Sequence, residues 1–281
     1  MMQMFKNDRK KILIFSLGLS FFLFLLGSCN KDDENVGTIV KERTVELDSK
    51  QEIPTVADRN EKGTANLKVF ADSTLTFSIT VSNLDGTDQL TVAHVHTGSP
   101  VESGSPIVTL VDNSTIKFQG NKASGKVKLN SSQFNSLKDD EGDDLYVNIH
   151  STKLPLGLVR GQLGQTITFA QNVALTPNSN ALRPETGMAI LRMTKDSTLF
   201  YKVTVNNLTE GDVLSTAQIN VGAAGVTGPS LLSLYTMSTD FDTEKSVKLT
   251  SSQANFLLNS EIYVSVSSTQ LPDELLRGQI R

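Results

Sequence analysis

The residues whose types and spacing could support chemistry are the three histidines of the chain, His94, His96 and His150. In an extended strand, residues two apart point to the same face about 7 Å apart. His94 and His96 can therefore reach one ligand, while His150 arrives from another strand. Three imidazoles arranged in this way can bind Zn²⁺ or Cu²⁺ and leave one coordination position open. Alternatively, the histidines only form hydrogen bonds across a sheet, to Asn148, Arg160 or a main-chain carbonyl.

Motifs that would indicate catalysis are missing from the sequence. There is no Gly-x-Ser-x-Gly elbow, no P-loop, no dinucleotide fingerprint and no cysteine placed as a nucleophile. The acidic run Asp139–Asp144 could offer oxygen ligands to Ca²⁺, but it lacks the spacing of an EF-hand and is predicted to be a solvated turn. An enzyme is therefore not the favoured prediction, and Zn²⁺ or Cu²⁺ are the only cofactors indicated.

Length and composition limit the architecture that must position the histidines. A chain of 281 residues is long enough for two ordinary domains. Its 20% charged and 38% hydrophobic residues are typical of a globular protein. Lys and Arg cluster only at the N-terminus, and the net charge is −4. The sequence therefore predicts no nucleic-acid partner, because such proteins need a concentrated basic face.

The N-terminus has the pattern of an export signal. A basic segment at 6–11 precedes an apolar run at 12–26, which is shorter than a membrane-spanning helix needs. Leu26-Gly27-Ser28-Cys29 resembles the lipobox of bacterial lipoproteins, in which the cysteine is acylated. We therefore predict a signal peptide at 1–28 and a lipid anchor at Cys29, which is the only cysteine. The alternative is an ordinary signal or anchor helix with a chance cysteine.

A polar, acidic stretch follows Cys29 and predicts a flexible tether over 29–43. This stretch also resembles a short signal that sends some lipoproteins to the cell surface, although a solvated spacer would look the same. The expected location is the cell envelope, on the surface or periplasmic side of the outer membrane, with the membrane itself as a partner through Cys29.

The body of the chain repeats itself. Residues 72–84 match 196–208 at 8 of 13 positions, and residues 126–137 match 246–257 at 8 of 12. The offset between the copies shrinks along the chain, which indicates short deletions in the second copy. Two homologous domains are therefore predicted, at 44–164 and 165–281.

Each copy reads as β structure. Leu75, Phe77, Ile79 and Val81 alternate with polar residues, as in a strand with one buried face. Further strands are predicted at 64–70, 91–97, 106–111, 115–119, 125–129, 145–150 and 158–163. A short helical cover is predicted near 131–137. The predicted fold class is all-β, with two tandem antiparallel β-sandwich domains of Greek-key, immunoglobulin-like or superoxide-dismutase-like type.

Four motifs in order carry a family resemblance. They are AHVHTG at 93–98, GSPIVTL at 104–110, YVNIHS at 146–151 and GLVRGQL at 157–163. This series resembles the CHRD domain, which occurs in chordin and in exported microbial proteins. The resemblance implies an all-β fold in an exported setting, and it implies little about chemistry. The second copy is predicted to be a degenerate CHRD domain, with Gln218, Asn220 and Ser267 in place of the histidines.

One motif persists in both copies whether or not histidines are present. Arg160-Gly161-Gln162 corresponds to Arg277-Gly278-Gln279. We interpret it as structural, with the arginine forking onto main-chain carbonyls or a carboxylate to fix the last strand. Anion recognition is the alternative.

The sequence therefore favours a lipid-anchored protein of the cell envelope that acts as a non-enzymatic binding or adhesion module, with a protein or glycan ligand. The alternative function is Zn²⁺ or Cu²⁺ binding, or a metal-dependent reaction, through His94, His96 and His150. A third alternative makes the second copy a spacer that only holds the first copy away from the membrane.

Overall fold

The computed structural model describes residues 37–54, 58–140, 144–177 and 183–281. The predicted signal peptide, Cys29 and most of the predicted tether lie outside the described residues, as does the middle of the acidic run. Among the described residues, no helix is both long enough and apolar enough to cross a bilayer.

Among its described residues, the first copy, called repeat one, contains eight strands and one α-helix. They are β1 Ile39–Asp48, β2 Lys62–Phe70, β3 Thr74–Ser82, β4 Leu90–Thr97, β5 Pro106–Val111, β6 Lys122–Lys128, α1 Ser131–Asp139, β7 Leu145–Ser151 and β8 Val159–Gln162.

The second copy, called repeat two, contains the same elements in the same sequence. They are β9 Ile167–Pro177, β10 Thr186–Thr194, β11 Thr198–Asn206, β12 Leu214–Val221, β13 Ser230–Tyr235, β14 Lys245–Lys248, α2 Ser251–Asn259, β15 Ile262–Ser268 and β16 Leu276–Gln279.

Each repeat forms an antiparallel sheet of eight strands. The strand order is β5-β4-β7-β8-β1-β2-β3-β6 in repeat one and β13-β12-β15-β16-β9-β10-β11-β14 in repeat two. In repeat one, the two four-stranded halves are joined by β8 and β1, which pair at Asp48 and Arg160. Apolar residues from both halves form one core. The all-β, tandem antiparallel fold predicted from the sequence is therefore confirmed.

The alternation of apolar and polar residues along β3 buries one face of the strand, as predicted. Leu75, Phe77, Ile79 and Val81 are all buried in the core, and the residues between them are partly or fully exposed. Both repeats also have the predicted helical cover. In each helix, the residue before the first turn and a glutamine three residues later form a reciprocal capping box, made by Asn130 with Gln133 and by Thr250 with Gln253.

Two local predictions were wrong. Residues 39–43, assigned to the tether, belong to β1 and pair with β2. Most of these side chains are exposed, so the segment lacks the apolar alternation that marks a strand. Residues 115–119, predicted as a strand, belong to no strand. The chain bends at 113–116, because Asp112 Oδ1 accepts hydrogen bonds from the main-chain N–H groups of residues 114–116. Gln119 makes an isolated β-bridge with Lys122.

A buried carboxylate fixes the approach to the histidine-bearing strand in repeat one. Asp88, just before β4, accepts hydrogen bonds from Arg59 at 2.8 Å, Ser151 Oγ at 2.8 Å and Thr152 Oγ1 at 2.9 Å. Burial disfavours its charge, but these bonds and one from the Lys153 main chain outweigh burial and lower the pKa of Asp88 to about 2. Asp88 thereby ties the start of β4 to the end of β7.

The same arrangement recurs in repeat two. Asp212 accepts from Arg183, from Ser268 Oγ at 2.8 Å and from Thr269 Oγ1 at 3.0 Å. The carboxylates of Asp88 and Asp212 are thus equivalent parts of the two folds.

We expect Asp88→Ala to lower the free energy of unfolding by about 2–4 kcal/mol, because it leaves the Ser151 and Thr152 hydroxyls and the Lys153 main-chain N–H without their acceptor. Arg59 keeps a carboxylate partner in this variant, since it also pairs with Glu61 at 2.6 Å. Urea denaturation at pH 7 measures this loss. Asp85→Ala is the matched control, since Asp85 pairs with Lys153 at 2.9 Å in an exposed position. Equal losses in the two variants would contradict a special role for the buried carboxylate.

Candidate metal site

The sheet brings the three histidines together on one face. His94 and His96 lie on β4, where they pair across the sheet with Asn148 and Tyr146 of β7. His150 lies two residues beyond Asn148 on β7 and shares its face. One ring nitrogen from each histidine lies within 4.8 Å of the corresponding atoms of the other two. The convergence expected from the sequence is therefore present in the structure.

Main-chain carbonyls orient two of the three rings. His96 Nδ1 lies 3.0 Å from the Gly104 carbonyl oxygen, and His150 Nδ1 lies 3.0 Å from the Pro155 carbonyl oxygen. A carbonyl can only accept a hydrogen bond, so each Nδ1 carries the hydrogen and each Nε2 carries a lone pair. This is how metal-binding histidines are commonly oriented in proteins.

The candidate ligand nitrogens face one another. His94 Nδ1 lies 3.4 Å from His150 Nε2. Because His150 Nε2 carries a lone pair, His94 Nδ1 donates the hydrogen bond between them in the metal-free protein. His96 Nε2 is buried and has no hydrogen-bond partner among the described residues. A buried nitrogen of this kind requires an explanation, because polar atoms in protein interiors are almost always partnered.

The environment keeps the three imidazoles neutral. Burial, together with the nearby His150 and His96, lowers the pKa of His94 to about 4. Burial also lowers the pKa of His96 and of His150, although the hydrogen bonds to Gly104 and Pro155 oppose those shifts. Neutral imidazole is the form that binds a metal ion.

These pKa values predict how stability depends on pH. His94 titrates near 6.5 in an unfolded chain and near 4 in the folded protein, so the unfolded chain binds more protons between these values. The free energy of unfolding of the metal-free protein should therefore fall as the pH drops from about 7 towards 4.

The variant His94→Gln, which introduces the residue of repeat two, removes the contribution of His94. The slope of unfolding free energy against pH over this window should be smaller in the variant than in the wild type, as measured by urea denaturation at several pH values. Identical slopes would contradict the lowered pKa of His94.

The Arg-Gly-Gln motif fixes the loop that holds His96. Arg160 donates to the main-chain oxygens of Ser99 at 2.5 Å and Glu102 at 2.8 Å, and Gln162 donates to that of Gly98 at 3.1 Å. The loop at 98–104 ends at Gly104, the acceptor of the His96 hydrogen bond. The motif therefore supports the site through the main chain.

The aromatic ring of Tyr146 lies between the motif and the histidines. His96 stacks on Tyr146 with ring centroids 5.0 Å apart, and the Arg160 guanidinium lies 3.6 Å from the centre of the Tyr146 ring. The glycine of the motif is required by close strand approach, because a Cβ at Gly161 would lie 2.2 Å from the Glu46 main-chain oxygen.

Repeat two has the same arginine contacts although it lacks the histidines. Arg277 donates to the main-chain oxygens of Ala223 at 3.0 Å and Val226 at 2.8 Å, and its guanidinium lies 3.3 Å from the Tyr263 ring centre. Gln218 and Asn220 pair across the sheet with Ser265 and Tyr263, which are the positions that Asn148 and Tyr146 hold in repeat one. The face that carries the histidines in repeat one is an open polar cavity of about 410 Å³ in repeat two.

Two buried charges near the site were missed from the sequence. Arg192 is 0% exposed, and it donates to the main-chain oxygens of Gln51 at 3.2 Å and Glu52 at 3.3 Å. The side chain of Asn172 adds a bond to Glu52 O at 3.2 Å. Repeat two therefore holds the segment at 49–52 of repeat one. The sequence could have drawn attention to Arg192, because it is a charged residue within the apolar strand β10. No sequence pattern marks Glu52 as buried.

Repeat two also contacts the second loop beside the histidines. Lys202 Nζ lies 3.0 Å from Glu102 Oε1, within the loop at 98–104. The segment at 49–52 and the loop at 98–104 are thus both bonded to repeat two, which lacks the histidines.

Fold and sequence together define a tandem all-β protein made of two homologous domains. A family model described as the CHRD domain matches residues 43–163 and again residues 166–280. The chain therefore belongs to the CHRD domain family, and the predicted tandem arrangement is confirmed. No curated protein and no solved structure matches the chain.

Proposed function

We propose that repeat one is a metal-binding module that holds Zn²⁺ or Cu²⁺ through His94, His96 and His150. The observation that carries the proposal is the convergence of three neutral imidazoles, two of which have their Nδ1–H groups bonded to main-chain carbonyls. Among the functions predicted from the sequence, this is the one that the geometry favours. A CHRD pair is also compatible with adhesion, which stays a prediction.

The spacing of two nitrogens suits a metal ion. Zn²⁺ binds histidine nitrogen at about 2.0–2.1 Å in tetrahedral geometry, which separates two such ligands by roughly 3.3 Å. His94 Nδ1 and His150 Nε2 are 3.4 Å apart. His96, whose ligand nitrogen lies within 4.8 Å of these two, supplies the third ligand, and the fourth position stays open to a small molecule.

The sequence supports a setting for this module. In our proposal the chain is exported, Cys29 is acylated, and the tether holds the CHRD domains at the cell envelope. Because Cys29 is the only cysteine, thiols play no part in metal binding by the exported protein, and the imidazoles are the ligands.

The test of metal binding uses the full chain, purified in mild detergent without a polyhistidine tag. After exposure to Zn²⁺ or Cu²⁺ and removal of the excess, elemental mass spectrometry should find about one ion per chain, because three ligands make one site.

The matched control is the triple variant His94→Gln, His96→Asn, His150→Ser, which introduces the residues found at these positions in repeat two. It should keep the circular dichroism spectrum of the wild type and lose the ion. Absence of metal from the wild type, or its retention by the triple variant, would refute the proposal.

The anchor is tested separately. We expect the full chain to incorporate a radiolabelled fatty acid when expressed in a Gram-negative host, and Cys29→Ala to abolish the label and release the protein from membranes. Labelling that persists in the variant would show that Cys29 is not the acylated residue.

A further inference from the structure

Two buried oxygen atoms beside the histidines have no partner. Glu52 Oε1 and Asn148 Oδ1 accept no hydrogen bond from any described residue, and their residues are only 2% and 5% exposed. Together with His96 Nε2, they bring three unpartnered lone-pair atoms to one region of repeat one. Such atoms cost free energy unless something in the site bonds to them.

These oxygens adjoin the proposed metal site. Asn148 lies directly across the sheet from His94 and on the same face as His150. Its Nδ2 donates to Glu52 Oε2 at 3.4 Å, which fixes the amide orientation and leaves Oδ1 as the free end. A Cβ at Gly157 would lie 2.5 Å from Glu52 Oε2. The carboxylate therefore packs against the 155–157 segment, whose Pro155 carbonyl orients His150.

All three unpartnered atoms are acceptors once the Glu52 carboxyl is ionised, which limits what can satisfy them. His96 Nε2 can be satisfied by the metal ion itself. The two oxygens need N–H or O–H hydrogens, and these can be supplied by a molecule bound at the open position of the ion. In the metal-free protein, burial raises the pKa of Glu52 to about 8 against the lowering effect of Arg160. A bound dication favours the ionised, accepting form.

Repeat two provides an internal comparison. There, Ser265 replaces Asn148, and its Oγ accepts a hydrogen bond from Asn220 at 2.7 Å. Glu274 replaces Gly157 and lies 3.6 Å from Arg277. Where the histidines are absent, the residue that corresponds to Asn148 therefore has a partner within the protein.

We infer that Glu52 and Asn148 form a subsite for the donor hydrogens of a small neutral ligand, such as water, an alcohol or an amine, bound to the ion held by the three histidines. The inference rests on the proposed metal site. Repeat two contributes to the subsite, because Arg192 and Asn172 hold the Glu52 main chain.

The experiment uses the full chain loaded with Co²⁺, whose visible spectrum changes when an external ligand binds. Dissociation constants are measured at pH 7.5 under argon for hydroxylamine, which carries donor hydrogens, and for azide, which carries none. In Glu52→Gln, hydroxylamine should bind about tenfold more weakly and azide more tightly, since a charged acceptor is lost.

Two further variants separate charge from hydrogen bonding and guard against misfolding. Asn148→Ser, which introduces the residue of repeat two, replaces the amide with a shorter hydroxyl and so draws the acceptor back from the ligand without changing the net charge. It should therefore weaken hydroxylamine binding and leave azide binding unchanged. Glu274→Gln, the matched change in repeat two, should alter neither ligand.

The outcomes distinguish the two proposals. A wild type that shows no Co²⁺ spectrum refutes the metal site and, with it, the subsite. Normal Co²⁺ binding with unchanged affinities for both ligands in Glu52→Gln and Asn148→Ser refutes the subsite alone. That result would mean that the two oxygens already satisfy each other, through a proton shared between the Glu52 carboxyl and the Asn148 amide.

Discussion

A buried guanidinium needs several acceptors, and the position of Arg160 decides where they must lie. Arg160 is 1% exposed and sits at the pairing that joins the two halves of the sheet. Its bonds to Ser99 and Glu102 draw the loop at 98–104 against the last strand, and that loop supplies the carbonyl that orients His96. The site therefore depends on a cation that is not one of its ligands. Arg277 imposes the same geometry on repeat two, which shows that the frame persists without histidines.

The contacts between the repeats argue against a role for repeat two as a mere spacer. A spacer domain would touch its neighbour through a few solvated side chains. Repeat two instead inserts a fully buried arginine whose bonds go to main-chain atoms of repeat one. Bonds of this kind do not depend on the identity of the side chain at residues 51 and 52, so the support survives sequence change at these two residues.

Much of the fold could be read from the sequence, because apolar alternation and internal repetition are local signals. Leu75 to Val81 marked a strand, and the matched segments marked two domains. The start of β1 could not be read, because strand pairing rather than burial holds residues 39–43. The environments of Asp88, Arg160 and Glu52 show what else could not be predicted from the sequence. Their environments are assembled from segments far apart in the chain, so neither burial nor charge partners follow from the nearby sequence.

The histidines are an intermediate case. Their shared face followed from strand periodicity, whereas the carbonyls that select the tautomer belong to Gly104 and Pro155, residues that carry no side-chain signal. The sequence could therefore propose which residues meet, but not which nitrogen of each ring is free. The two carbonyl bonds leave the Nε2 lone pairs of His96 and His150 for a cation.

Repeat two has Glu274 where repeat one has Gly157. This difference bears on how the two repeats avoid pairing with each other's strands during folding. Two copies of one fold in a single chain can trade strands while they fold, and proteins with repeated domains are prone to this error. A hybrid that docked the 272–277 segment onto repeat one would place a glutamate where even a Cβ would approach the Glu52 carboxylate to 2.5 Å. Steric conflict would then oppose the hybrid. Divergence between the repeats thus gives each copy a means of recognising its own strands.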